Sequence, residues 1–213
     1  MRIISPSLLS ADFKNIKKDI QLVESSGAKR LHLDIMDGHF VPNLTFGPML
    51  IKAIRECTKC HLETHLMIER PIDSIDQYIE AGSDTIIFHL EASAKPDIIL
   101  SHIKERNVLA GIALNPDTDE QLLYPLLDLL DYILIMSVYP GKGGQTFITK
   151  SLKKMKNIVS MRTDRNIVIG VDGGVNIDTI SAVYNTGIDM TIVGSGLFNS
   201  NNVPGRFREL LNA

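Results

Sequence analysis

Arg30-Leu31-His32-Leu33-Asp34-Ile35-Met36 alternates strictly between two kinds of side chain. In an extended chain Leu31, Leu33 and Ile35 project to one side and His32, Asp34 and Met36 to the other. One face is apolar and the other carries chemistry, as in a strand with helices packed on one side and a polar interior on the other. His61-Leu62-Glu63-Thr64-His65-Leu66-Met67 repeats the pattern, and Ile167 to Asp172 ends the same way, with Asp172 turned to the polar side.

Outward from these stretches, short apolar runs alternate with segments of helical period along the whole chain. Strands are expected at Ile3 to Ser5, Arg30 to Ile35, His61 to Met67, Thr85 to His89, Leu109 to Leu114, Tyr132 to Val138, Ile167 to Val171 and Met190 to Val193. Helices are expected near residues 12–25, 48–56, 72–81, 96–106, 119–129, 149–162, 176–186 and 204–211, with Pro125 breaking the fifth. Eight strand-then-helix units make an α/β protein of the (β/α)8 TIM barrel class, one domain spanning 1–213; a doubly wound open sheet is the rival and usually has fewer strands.

Composition narrows the function. The 213 residues are 44% hydrophobic and 22% charged, with a formal net charge of -3, which describes a globular chain. Interspersed charges exclude the concentrated basic footprint of nucleic-acid binders, and every hydrophobic run is too short to span a bilayer. The start of the chain lacks a secretory signal pattern, so a cytoplasmic address is expected. Cys57-Thr58-Lys59-Cys60-His61 matches the haem-attachment spacing, but it falls where a helix hands over to a strand, and two ordinary thiols are expected.

Active sites of such barrels lie at the C-terminal ends of the strands. His32, Asp34, His65 and Asp172 all fall there with inward parity, and two imidazoles with two carboxylates suit one divalent cation. Zn²⁺ is the expected ion, with Fe²⁺ or Mn²⁺ as alternatives. A cation on the oxygens of a hydroxy-ketone would stabilise the enediolate left when the neighbouring carbon loses its proton. Two carboxylates on opposite sides would then permit epimerisation.

Glycines supply a second half. Gly141, Lys142, Gly143 and Gly144 follow the sixth strand, Gly173-Gly174 the seventh and Gly194-Ser195 the eighth, where backbone N–H groups of this fold meet phosphate. Residues Gly141 to Gly144 are also expected to form a lid. Met36, Met67 and Met136 read equally as core or as an apolar floor, and Ser7 as a substrate contact or a backbone partner. His89, Glu91 and Asn115-Pro116 read as supporting or turn residues.

Six motifs carry a family resemblance: SPSLLSAD from Ser5, HLDIMDGHFVPNLTFGP from His32, HLMIERP from His65, MSVYPGKGGQTFI from Met136, VDGGV from Val171 and GSGLF from Gly194. In order and spacing they resemble the ribulose-phosphate 3-epimerases. The resemblance implies interconversion of D-ribulose 5-phosphate and D-xylulose 5-phosphate on a (β/α)8 barrel. It assigns His32, Asp34, His65 and Asp172 to the metal and makes Asp34 and Asp172 the acid/base pair. It adds Ser7 and His65 as substrate contacts, the three methionines as floor, and the glycines with Ser195 as phosphate and lid elements. A homo-oligomer is also implied.

The chain departs from that pattern at Tyr139 and Lys142, where the family usually reads SVNPGFGGQ, and at Glu63, which replaces an aspartate. Its GSGLF ending is similar to allulose-6-phosphate 3-epimerases, so a six-carbon ketose phosphate is the runner-up substrate. A non-catalytic phosphosugar-binding barrel is the third reading, disfavoured by the two opposed carboxylates.

Overall fold

A computed structural model describes residues 2–213. Eight strands form one all-parallel sheet: β1 (Ile3–Pro6), β2 (Arg30–Met36), β3 (His61–Met67), β4 (Thr85–His89), β5 (Leu109–Leu114), β6 (Tyr132–Met136), β7 (Val168–Asp172) and β8 (Met190–Val193). From β2 to β8 each strand pairs with the next in sequence, and β1 pairs with β8. The remaining seam, between β1 and β2, closes at a parallel bridge from Ser7 to His32. That bridge brings the two end strands together in a nearly closed barrel, which an open doubly wound sheet does not form.

Strand parity sorts the side chains into two cores. Leu31, Leu33, Ile35, Leu62 and Leu66 join a large apolar layer between sheet and helices. The barrel interior holds a smaller cluster that includes Ile87, Tyr132, Leu134, Met136 and Ile192. Tyr132 fits inside because its neighbours across the register are Gly111 and Val168, with Gly170 next along β7. A Cβ on Gly170 would lie 2.1 Å from the Tyr132 hydroxyl.

Most helices cover the sheet with the faces their periodicity predicts: α1 (Ile16–Ser25) through Ile20 and Val23, α2 (Pro48–Cys57) through Ile51 and Ile54, α3 (Ile75–Glu80) through Ile75 and Tyr78, and α4 (Pro96–Glu105) through Ile99, Leu100 and Ile103. Later come α5 (Ser151–Arg162), α6 (Ile180–Tyr184), α7 (Ser195–Phe198) and α8 (Val203–Asn212). Pro48, Pro96 and Pro204 sit in first turns, where a missing N–H costs nothing. No helix of the described residues is long and apolar enough to cross a membrane.

The structure differs from the sequence expectation at several boundaries. α1 starts four residues late because the Asp12 carboxylate accepts from Lys14 N–H and Asn15 Nδ2, holding the chain in a turn. The expected third helix divides into a 3-10 turn at Pro71–Asp73 and α3. Pro125 does not end the fifth segment. Residues Glu120–Leu129 wind as a continuous 3-10 helix, capped by Asp119 and held down by Leu123, Leu126 and Leu127. The tighter winding absorbs the missing proline donor without a break. β6 stops at Met136, since Ser137 turns its N–H and hydroxyl to the Asp172 carbonyl, while β7 extends to include Asp172.

The Cys57 and Cys60 thiols are both free. Cys60 is buried against Glu24 and the Ala28 carbonyl, and burial pushes its thiol pKa up, which suits an inert side chain.

Candidate active site

The parity of β2, β3 and β7 delivers His32, Asp34, His65 and Asp172 to one place near the C-terminal barrel end, each offering a ligand atom within 4.8 Å of the others. His32 Nε2 is 3.3 Å from His65 Nδ1 and 3.4 Å from Asp34 Oδ1. His65 Nδ1 is 3.2 Å from Asp34 Oδ1 and 3.9 Å from Asp172 Oδ2. A tetrahedron with metal–ligand bonds of about 2.05 Å has edges of about 3.3 Å, so the two-nitrogen, two-oxygen set fits a single divalent cation of that size. Both imidazoles are fully buried and Asp34 nearly so, which removes competing water from the ligand atoms.

Burial and mutual charge divide the four groups. Burial disfavours a charged His32, but the Asp34 carboxylate and then Glu63 outweigh it and raise the imidazole to about 10. Asp34, although buried, is held far below the usual carboxylate range by His32. His65 is depressed to about 3, chiefly by burial, and so keeps a neutral ring with one nitrogen lone pair. Asp172 is raised to about 7 by burial and by repulsion from Asp34. Two neighbouring carboxylates with pKa values driven apart are the usual arrangement of an acid and a base.

The surrounding polar groups orient this cluster. Ser7 Oγ donates to Asp34 Oδ2 at 2.6 Å, so the seam residue that closes the barrel also steadies a carboxylate. Glu63 is fully buried and accepts from Ser5 Oγ and Arg30 Nη1, both at 2.8 Å. Its Oε2 stops 3.6 Å from His32 Nδ1, which has no hydrogen-bond partner among the described residues. Behind His65, His89 Nε2 lies 2.9 Å from His65 Nε2, and His89 Nδ1 lies 3.2 Å from Glu91 Oε2. Burial works to raise the Glu91 carboxyl, but His89, the Thr118 hydroxyl and the Asn115 N–H hold it down at about 2.

A cavity opens above the cluster. Ser7, Asp34, Met36, Met67, Met136, Gly141, Lys142, Gly143, Gly144, Asp172, Gly173, Gly174, Gly194 and Ser195 all line it. His32 and His65 are absent from that wall, being buried beneath Asp34. Met36 and Met67 pack with Val41 as one buried patch and Met136 belongs to the interior core. Ser10 and Gln145 also line the cavity, although their sequence context gave no reason to single them out. Ser10 comes near because Gly194 lacks a Cβ, which would sit 2.7 Å from its hydroxyl.

The segment between β6 and α5 is pinned at several points. Gln145 Nε2 donates to the carbonyls of Tyr139 and Lys142 at 2.7 and 2.8 Å. The Asn43 amide donates to the Gly141 carbonyl. The Tyr139 hydroxyl donates to Asp117, which also takes an ion pair from Lys150 at 2.6 Å. Tyr139, one of the residues departing from the family pattern, thus clasps this segment to the loop after β5, while Lys142 is exposed at the cavity mouth. Tyr139→Phe is expected to leave global stability unchanged and to speed amide hydrogen exchange across residues 139–146 several-fold. Unaltered exchange in that segment would show the clasp to be idle.

The sequence pattern described as the ribulose-phosphate 3 epimerase family matches residues 3–198. A ribulose-phosphate 3-epimerase of Treponema pallidum is 40% identical over 98% of this chain and 94% of its own length. The enzyme of that name from Bacillus subtilis is 41% identical over 92% and 91%. Among solved structures, KGPDC from Streptococcus mutans superposes with a TM-score of 0.73 at 16% identity, covering 100% of this chain and 96% of that one. The 3-hexulose-6-phosphate synthase of Salmonella typhimurium gives 0.68 at 17%, covering 99% and 97%. These two likenesses speak for the barrel fold. A match across nearly the entire chain, together with relatives at about 40% identity over almost their full length, places this chain in the ribulose-phosphate 3-epimerase family.

Proposed function

We propose that the protein interconverts D-ribulose 5-phosphate and D-xylulose 5-phosphate by inverting C3. The observation that carries this reading is the meeting of Asp34 and Asp172, from strands well separated around the barrel, at one buried cluster with His32 and His65. Those four residues would hold one divalent cation, Zn²⁺ being the best match to the donor set. When bound, it supplies a Lewis acid to the substrate's carbonyl and hydroxyl oxygens.

The chain's own residues do the rest. One carboxylate takes the C3 proton, the C–H electron pair moves into a C2–C3 double bond, and the C2 carbonyl oxygen gains the negative charge of an enediolate. The other, which enters the step as the carboxylic acid, gives its proton to the opposite face of C3 and is left as the carboxylate, the pair moves back, and the stereocentre is inverted. The reverse reaction exchanges the two roles. Ser7 keeps Asp34 aimed at the reacting carbon through its 2.6 Å bond. Met36, Met67 and Met136 give the carbon backbone an apolar bed that excludes water. Backbone N–H groups of Gly173, Gly174, Gly194 and Ser195 receive the phosphate, and Gly141 to Gly144 cover it, with Lys142 offering a cation at the rim.

Proton NMR in deuterium oxide tests this directly. Metal-loaded protein is expected to convert D-ribulose 5-phosphate to D-xylulose 5-phosphate and to place deuterium at C3, with much slower exchange in D-allulose 6-phosphate. The reverse preference would make the substrate a six-carbon ketose phosphate. No exchange with either would overturn the catalytic reading.

A further inference from the structure

A neutral imidazole has one N–H and one lone pair, so a histidine can ligate a cation only if the proton is on the other nitrogen. For His65 the cluster-facing atom is Nδ1, and Nε2 points away toward His89. Both rings are fully buried, and Phe40 packs on His89 with ring centroids 4.8 Å apart, so no water settles the question. Two ring nitrogens 2.9 Å apart need one proton between them. Which ring supplies it depends on what lies further along.

Beyond His89 lies Glu91. Its Oε1 is taken by the Asn115 N–H at 2.8 Å and by the Thr118 hydroxyl, leaving Oε2 for His89 Nδ1. A carboxylate bearing those donors only accepts, so His89 Nδ1 carries the proton and His89 Nε2 presents its lone pair. His65 Nε2 must then donate, and His65 Nδ1 is left with its lone pair toward Asp34, Asp172 and His32. The acceptor facing Nδ1 is Asp34 Oδ1 at 3.2 Å, which also faces His32 Nε2 at 3.4 Å and takes its proton from that ring, while Ser7 Oγ supplies Oδ2 at 2.6 Å.

We propose that Glu91 and His89 are positioning residues that fix the tautomer of His65, so that its Nδ1 lone pair faces the cation site. Asn115 and Thr118 complete the device by holding Glu91 in one orientation. The relay runs from His89 at the end of β4 to Glu91 two residues on, and neither residue lines the cavity, so it acts without touching substrate. The inference rests on the metal-site reading for its purpose, though not for its geometry.

Glu91→Gln distinguishes this from simple packing. The two donors at Oε1 retain the amide oxygen, which leaves the NH₂ group facing His89 Nδ1. His89 must then accept at Nδ1 and donate from Nε2, and His65 receives its proton on Nδ1, where the lone pair is needed. Nitrogen-15 NMR of metal-free protein is expected to show protonated His89 Nδ1 and His65 Nε2 in the wild type and the reversed pattern in Glu91→Gln. Chelator competition is expected to show Zn²⁺ binding weakened about 10- to 100-fold in Glu91→Gln, and by less in Glu91→Ala, which removes the bias without inverting it. An unchanged tautomer in Glu91→Gln, or an unprotonated His89 Nδ1 in the wild type should the variant fail to fold, overturns the relay. Weaker binding in Glu91→Ala than in Glu91→Gln also overturns it. A tautomer swap in a protein whose wild type binds no Zn²⁺ supports the relay and removes the metal reading instead.

Discussion

Asp172→Asn is expected to lower turnover by about 10³-fold or more, because the amide can neither take nor give the C3 proton and general acid–base catalysis contributes about 10²–10⁴-fold. Asp34→Asn is expected to do the same from the opposite side. For Asp172→Asn, loss of fold would not be the cause. Asp172 has its carboxyl raised to about 7 by burial and by the neighbouring Asp34 charge, so the folded state holds its proton more tightly than the unfolded chain does. Between the ordinary carboxylate range and that value, ionisation of Asp172 works against folding as pH rises. A neutral asparagine removes this penalty, and the metal-free variant at pH 8 should melt no lower than the wild type. Steady-state rates beside thermal melts check both halves. Near wild-type turnover in a folded Asp172→Asn or Asp34→Asn protein would remove the two-carboxylate mechanism.

The second large effect belongs to Gly174→Ala. Gly174 has φ +67°, and an added Cβ would lie 2.5 Å from Phe147 N, 2.7 Å from Phe147 Cα and 2.9 Å from Gln145 O. Those atoms are backbone and cannot swing aside. The left-handed conformation costs a non-glycine residue about 1–2 kcal/mol, and overpacking adds about 1–3 kcal/mol. The expected result is a destabilisation of about 2–5 kcal/mol in urea unfolding. The loop after β7 must also part from residues 145–147, which displaces two walls of the cavity and should raise KM for the sugar phosphate more than kcat falls. Gly38→Ala is the matched control. Its φ is +75°, yet nothing lies within 4 Å of the new Cβ, so only the backbone cost of about 1–2 kcal/mol is expected. Equal losses in the two variants would show that the crowding at Gly174 is relieved for free.

Strand parity was legible in the sequence because its period of two residues puts Leu31, Leu33 and Ile35 on one face and His32, Asp34 and Met36 on the other whatever surrounds them. The site cluster followed from the same arithmetic, since strand ends of a closed barrel converge. Helix starts were less legible. The turn at Asp12 and the 3-10 winding through Pro125 are decided by single side-chain bonds and by packing of Leu123, Leu126 and Leu127, which a periodicity average does not resolve. The four-residue α7 is too short to have a period at all.

What the sequence by itself determined is the number and order of the strands, the face each inward side chain takes and the residue types that meet at the top, because these depend on local alternation and on chain order. Tertiary structure alone decided how those side chains are held. The Tyr139–Asp117 clasp, the shortfall between Glu63 and His32, and the path from His65 through His89 to Glu91 each join residues 22 or more apart, or hang on a separation of a few tenths of an ångström. Proton placement on a buried imidazole depends on the acceptor beyond its neighbour, which exists only once the barrel has closed.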